Sequence, residues 1–319
     1  MDFELVEFSA CHVEAAVGLF QENYRAERRF APILPERAAV DGKWIAERLV
    51  RCLGKPGAAA LADGKLVGFL LTNAYFEFKG HRAAHVPEFA HAAAGDDPER
   101  LHRALYSRVA KTWMDEGACL HLLGFLYHDS PARTASYELG YGSLINERIR
   151  GLEPIPGADA RGVEACADPE RLVDLELEHR DFYRESPIFI ARDRPDRADA
   201  IRDLSESMAE GDRHFVFEED GEAVGCLSVG ASTERGEGFL LRGTNSAQVK
   251  GVYVRPAWRK RAVGASLLQA ALYWTRASGF ERLFVEHETA NNPGAAFWAR
   301  HFEPFVAYAM RYADPAAGK

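Results

Sequence analysis

The sequence predicts an α/β fold of the α+β kind, arranged as two tandem domains, each a mixed, mostly antiparallel sheet flanked by helices. Three observations lead there. The 319 residues exceed one typical domain and suit two of similar size. Hydrophobic residues at 47% and charged residues at 27% give the balance of an ordinary globular chain rather than a disordered or membrane one. Most tellingly, a set of local landmarks occurs twice in the same order.

Near the start of each half a charged helical stretch runs into Pro-Ile, at Pro32 and Ile33 and again at Pro187 and Ile188. An Asp-Gly turn then feeds an apolar run, Asp63-Gly64 before Leu66 to Leu70 and Asp220-Gly221 before Ala223 to Leu227. Asp-Gly supplies the positive φ of a tight turn, so both stretches predict β-hairpins. Later a helix carrying Trp113 ends at Gly117 ahead of an apolar strand. A helix carrying Trp274 ends likewise at Gly279, each glycine standing where a left-handed C-terminal cap belongs. Each half thus reads as strand, helices, hairpin, longer strand, helix, strand and a closing helix-strand pair. The Gly/Pro/Ala-rich residues 151–162 have linker composition, which places the domains at 1–152 and 153–319.

A formal net charge of -9 repels polyanions, so no nucleic acid and no membrane is expected as a partner, and a cationic small molecule or basic peptide suits better. The opening MDFELVEFSA carries acidic residues where a leader needs basic ones. No apolar run approaches bilayer-spanning length, so a cytoplasmic protein is expected. Cys11, Cys52, Cys119, Cys166 and Cys226 are scattered without a CxxC pair, and His81, His85, His91, His102, His121 and His128 lack HExxH spacing. Neither a disulfide framework nor a metal site is indicated.

The chemistry gathers in residues 249–280. Val249 to Val254 is β-branched and aromatic enough for a central strand, which Pro256 stops. Leu267, Leu268, Ala271, Leu272, Trp274 and Thr275 recur at helical spacing, so a helix begins near Val263 or Gly264. Between strand and helix runs Arg259-Lys260-Arg261-Ala262-Val263-Gly264. A helix N-terminus offers unpaired N–H groups and the positive end of the macrodipole, and small residues there let a phosphate reach the main chain. With three basic side chains ahead of it, the pattern is a pyrophosphate cradle, distinct from the P-loop because GxxxxGK[ST] is absent. The matching stretch of the first half has no such loop, and its Asp96, Asp97 and Glu99 would repel a phosphate.

With Val254, Pro256, Arg259 and Gly264 in these places, the second half resembles the GCN5-related N-acetyltransferase (GNAT) superfamily, whose signature runs V-x-P-x-x-[QR]-x-x-G-x-[GA]. Ala262 stands where the signature has its first glycine. Downstream, Asn291-Asn292-Pro293-Gly294-Ala295-Ala296-Phe297-Trp298 resembles the family's N-x-x-A-x-x-[FL]-Y segment in shortened form. Phe297 or Trp298 replaces the tyrosine there, and His301-Phe302 replaces the usual Gly-Phe. The first half resembles a degenerate copy of the same fold, as in the tandem acetyltransferases.

The resemblance implies acetyl-CoA as co-substrate and no metal. It places the coenzyme at Val252, Tyr253, Val254, Arg259, Lys260, Arg261, Ala262, Val263, Gly264, Ala265, Asn292 and Phe297, with Asn292 as the asparagine that meets the pantetheine arm. It implies N-acetyl transfer by direct attack of an amine on the thioester, with a bulged strand around Val252, Tyr253 and Val254 presenting a main-chain N–H to the carbonyl. Strand alternation sets Glu286 and Glu288 on one face and His287 on the other, so either carboxylate is a candidate base. Tyr253, Tyr308 or solvent is the candidate proton source for the leaving thiolate. The acceptor, a primary amine of a small molecule or peptide, is expected where Glu176, Glu178, His179, Asp181 and Tyr183 cluster. Two other readings stay open: a mycothiol-synthase-like acetyltransferase, and a non-catalytic acyl-CoA sensor. The chain is expected to be a monomer or a homodimer.

Overall fold

The computed structural model describes residues 2–191, 195–232 and 238–318. In chain order the elements are β1 (Glu4–Glu7), α1 (Val13–Glu27), α2 (Arg37–Val40), α3 (Gly42–Val50), β2 (Gly57–Ala62), β3 (Lys65–Leu71), β4 (Ala74–Phe78), β5 (His81–Val86), β6 (His91–Ala93), α4 (Pro98–Asp115), β7 (Leu120–Leu126), α5 (Ser130–Glu138) and β8 (Gly142–Arg150). There follow β9 (Val163–Cys166), α6 (Val173–Phe182), α7 (Arg197–Ala209), β10 (Arg213–Glu219), β11 (Glu222–Ala231), β12 (Ser246–Val254), α8 (Val263–Ala277), β13 (Arg282–Glu288), α9 (Asn292–His301) and β14 (Glu303–Tyr312). No helix of the described residues is long and apolar enough to cross a membrane.

Two compact units divide the chain: Met1–Asn146 with Pro304–Lys319, and Glu147–Glu303. The last strand therefore belongs to the first unit, and the second unit begins inside β8, whereas the composition of residues 151–162 suggested one cut at 152/153. That stretch is not a free linker. Leu152 and Ile155 are buried in the second unit's core, Ile155 N–H donates to Gln269 Oε1 at 2.7 Å, and Arg276 donates to the Leu152 carbonyl at 2.8 Å. Glycine and proline exclude regular structure, but they do not exclude burial.

Both Asp-Gly hairpins are present, β2–β3 and β10–β11. Their turn residues all have positive φ, Asp63 at 48°, Gly64 at 72°, Asp220 at 52° and Gly221 at 79°, which is the type I′ pattern. In the first unit β1, β2, β3 and β6 form an antiparallel sheet in that order, and β4, β5, β7 and β14 form another, with β5 and β7 parallel. The single longer strand expected here is thus three. After Val86, paired with β7, Pro87 has no N–H to continue the ladder, and the chain crosses to pair β6 with β3.

In the second unit the strand order is β8, β13, β12, β11, β10, β9, with β12 and β13 parallel and β9 to β12 antiparallel. Alternation sends Phe215, Leu227, Val229, Ala247 and Val249 to one face, where they pack with Leu267, Leu268 and Ala271 of α8 and Trp298 of α9. Val216 and Cys166 go to the other face, against Leu172, Val173, Ala200 and Leu204 of the α6–α7 layer. Helices cover both faces of this sheet, so any ligand must enter at an edge or through a gap between strands.

Candidate active site

That gap lies between β12 and β13. Their parallel pairing runs from Ser246 opposite Arg282 to Val249 opposite Val285 and stops, although β12 continues to Val254 and β13 to Glu288. The other edge of β12 supplies the reason. Against β11, Ser228 stands opposite Gly251 and Val229 opposite Val249, which leaves Lys250 as an extra residue. A bulge of this kind bends and twists its strand, so residues 251–254 leave β13 and open a wedge. The extra residue is Lys250 rather than one of Val252, Tyr253 and Val254, which form the diverging arm beyond it.

Past Val254 the chain turns through Pro256 into α8. Helices α3, α4, α5, α7 and α9 each start at an Asp or Asn whose side chain accepts a main-chain N–H of the first turn. Helix α8 starts at Ala262, in the left-handed conformation at φ 66°, with no side-chain cap among the described residues. The first intrahelical bond runs from Ser266 N–H to the Ala262 carbonyl at 2.9 Å, so the amides of Val263, Gly264 and Ala265 face outward at the positive end of the dipole. Lys260 and Arg261 flank them, Arg261 with its guanidinium 5.1 Å from the Trp258 ring centre. Such a start fits a diphosphate.

Arg259 has another task. Its Nε donates to the Val254 carbonyl at 2.9 Å, and its guanidinium lies 4.8 Å from the ring centre of Phe182 on α6. It fastens the loop to the end of β12. A Cβ on Gly264 would lie 3.4 Å from Phe297 Cε2, so the Phe297 ring covers the first turn of α8 at contact distance. The two adjacent asparagines divide their roles: Asn291 Oδ1 accepts from Gly294 N–H at 3.1 Å as the cap of α9, and Asn292 stands exposed at the helix start.

On the α6 side of the wedge, Tyr253 is 7% exposed, its ring 5.6 Å from His179 and 6.4 Å from Phe182. Burial, with the Glu178 carboxylate beside it, holds its hydroxyl pKa above the ordinary 10, against the pull of Arg259. Glu178 accepts two hydrogen bonds from Arg255 Nε, each 3.1 Å. Tyr183, 5.2 Å from His179 ring to ring, donates its hydroxyl to Glu288 Oε2 at 2.9 Å. The buried His287 points the other way and accepts from Arg148 Nε at 3.0 Å, with its own pKa lowered by burial. The alternation of Glu286 and Glu288 against His287 is therefore realised, and Glu288 shares a cluster with Tyr183, His179 and Tyr253. A cavity of about 210 Å³ adjoins it, walled by Glu176, His179 and Arg180 of α6, Asp203 and Ser207 of α7, and Lys250 to Val252 of β12.

Tyr308 lies on β14 in the first unit, where its hydroxyl donates to Glu88 at 3.2 Å. Arg148 had no signal in the sequence, since it stands 139 positions from His287. No group of three His, Cys, Asp or Glu residues able to hold a metal occurs among the described residues.

The first unit also has a hairpin and a parallel strand pair joined through a helix, with one more helix and two more strands among the described residues, and it closes both features of the site. Its parallel pair β5–β7 ends at Val86 opposite Leu123, and beyond it His91 Nε2 donates to the Gly124 carbonyl at 2.7 Å, with His91 only 3% exposed. Helix α4 is capped by its own Asp97, which accepts from Arg100 N–H at 3.0 Å.

A sheet opened between two parallel strands, with an uncapped helix following one of them, defines the class of acyl-CoA-binding acetyltransferase folds. The acetyltransferase (GNAT) family model matches residues 175–302, and the second unit is a domain of that family. Its members are acyltransferases that generally use acyl-CoA. Among solved structures, a GCN5-related N-acetyltransferase from Sphaerobacter thermophilus is similar at TM-score 0.59 and 13% identity over 97% of this chain and 95% of that one. A glucosamine N-acetyltransferase region of a fungal multi-domain GH3 β-N-acetylglucosaminidase is similar at TM-score 0.54 and 13% identity, over 97% of this chain and 38% of that one. A tandem GNAT protein from the clavulanic acid biosynthesis pathway gives TM-score 0.48 at 17% identity over 98% of this chain and 99% of that one. The first two likenesses concern fold. No curated protein matches the sequence.

Proposed function

We propose that the second unit transfers an acetyl group from acetyl-CoA to the primary amine of a small molecule or peptide. The observation that carries the reading is the pairing of the β12–β13 wedge with the uncapped start of α8. The diphosphate is assigned to the amides of Val263, Gly264 and Ala265 with Lys260 and Arg261, and the pantetheine amides to Asn292, the main chain of Val252 and the Val254 N–H, the Val254 carbonyl being taken by Arg259. Phe297 packs at the helix start. The bound coenzyme supplies an activated thioester whose C–S bond breaks as the amine forms its C–N bond.

The acceptor arrives as an ammonium ion and must lose a proton before it attacks. Glu288, or Glu286 on the same face, takes that proton, and the aromatic faces of His179 and Tyr183 favour the cation before it is lost. A main-chain N–H on the diverging arm stabilises the developing oxyanion. Tyr253, whose pKa burial holds above the ordinary 10, delivers its proton to the departing thiolate and regains one from the attacking nitrogen as the amide forms. Phe297 in place of the family's tyrosine motivates the alternative of a non-catalytic sensor.

Calorimetric titration of acetyl-CoA into the protein, beside a Gly264→Glu variant, tests the reading. Micromolar binding that the variant loses supports the site and justifies a screen of amine acceptors. A wild-type protein that binds no acetyl-CoA overturns it, and binding without thiol release on any amine favours the sensor.

A further inference from the structure

The bulge that opens the wedge is held from outside its own strand. Lys250 Nζ lies 2.6 Å from Asp212 Oδ1 and 2.8 Å from Oδ2, and the Asp212 side chain is only 6% exposed. Asp212 is fixed in turn by the end of α7. Gly211, at φ 98°, donates its N–H to the Met208 carbonyl, and Asp212 N–H bonds the Ser207 carbonyl, both at 3.1 Å. This is a Schellman cap, which leaves little freedom to the residue that follows the glycine. Ser207 Oγ then donates to Asp212 Oδ2 at 2.7 Å and meets His214 Nε2 at 3.1 Å.

Room for the pair comes from Gly230 on β11. A Cβ there would fall inside the van der Waals envelope of Asp212 Oδ1 and 3.1 Å from Lys250 Cε. Three separate elements thus converge on one side chain: the cap of α7, a glycine of β11 and the bulge of β12. The residue they hold is the one that has no partner in the β11–β12 register.

We propose that Asp212 and Lys250 are positioning residues for the transfer: their ion pair sets the rotation of the bulge, and so the direction in which residues 251–254 leave β13 and present their main chain to the thioester. The inference rests on the acyl-transfer reading of the wedge. Neither residue touches the reacting atoms. A charge pair that only secured the fold would act on stability alone; this one acts on the geometry of the attack, where a misplacement of about 1 Å costs up to about a hundredfold in rate.

The test uses the full chain with Asp212→Asn, Lys250→Met, Lys250→Arg and Gly230→Ala. Amide hydrogen exchange at Gly251 and Tyr253, measured without ligand, reads the bulge itself, while acetyl-CoA affinity and kcat read its consequence. In Asp212→Asn and Lys250→Met, exchange at these amides rises about tenfold while the interior of α8 is unaffected. Acetyl-CoA affinity is retained, and kcat falls about ten- to a hundredfold. Lys250→Arg, which keeps the charge pair, retains most of the turnover. Gly230→Ala reproduces the loss and does not add to that of Asp212→Asn, because both open the same pair. Unaltered exchange in a folded variant overturns the proposal, as does altered exchange with unchanged kcat, or a fall in acetyl-CoA affinity and Tm in step with kcat. A wild-type protein that binds no acetyl-CoA overturns the acyl-transfer reading and the positioning role with it, an outcome that calorimetry separates from all the others.

Discussion

Ala262 carries a cost that its position explains. It stands where the family signature has glycine, and it adopts φ 66°, a region in which a Cβ crowds the following carbonyl. Replacement by glycine removes that crowding and gives back part of the gain as extra freedom of the unfolded chain. Ala262→Gly is therefore expected to stabilise the second unit by about 0.5–1 kcal/mol, read as a higher urea midpoint, and a lower midpoint would refute the strain argument. At this scale the sequence was a good guide to residue type and a poor one to residue task. The loop Arg259 to Gly264 stands ahead of α8 as expected, yet Arg259 is turned toward Val254 and Phe182. Side-chain direction depends on what α6 offers across the loop, and no local pattern encodes that.

Among the elements, β6, α4 and β7 of the first unit enclose ionisable side chains that stay neutral. Burial, and then the neighbouring His91, push the pKa of His102 down to about 3 from the ordinary 6.5. In the unfolded chain His102 binds a proton near pH 6.5, and in the folded unit it does not, so its contribution is complete above pH 6.5 and is lost progressively from there to about pH 3. Glu27 and Asp129, whose pKa values are raised mainly by burial, work in the opposite sense at lower pH. Urea midpoints of the first unit should fall between pH 7 and pH 5. Over that interval the His102→Leu variant should show a slope shallower by about 1 kcal/mol per pH unit, and an equal slope would mean that His102 titrates normally. Element types and order were legible because hairpin turns and helix periods are local. The division of the expected long strand at Pro87, the burial of Leu152 and Ile155, and the bulge at Lys250 were not. Each is decided by which strand or helix lies alongside.

For the molecule as a whole, the units follow packing rather than sequence halves. A fragment 153–319 lacks Arg148, which bonds His287 and the Phe302 carbonyl, and the buried Ile149 and Leu152. A fragment 147–303 keeps them all. The second is expected to fold and to resist proteolysis, and the first to unfold at far lower urea; similar stability of the two would refute this division. The same division bears on how the protein is made. Strand β7, with six of its seven residues buried, has β14 as one neighbour, and β14 follows the whole second unit in sequence. On the ribosome the second unit has all its residues once Glu303 emerges, while the first unit, translated earlier, waits with an apolar edge unpaired until β14 has followed it. The half synthesised first is the half that finishes last.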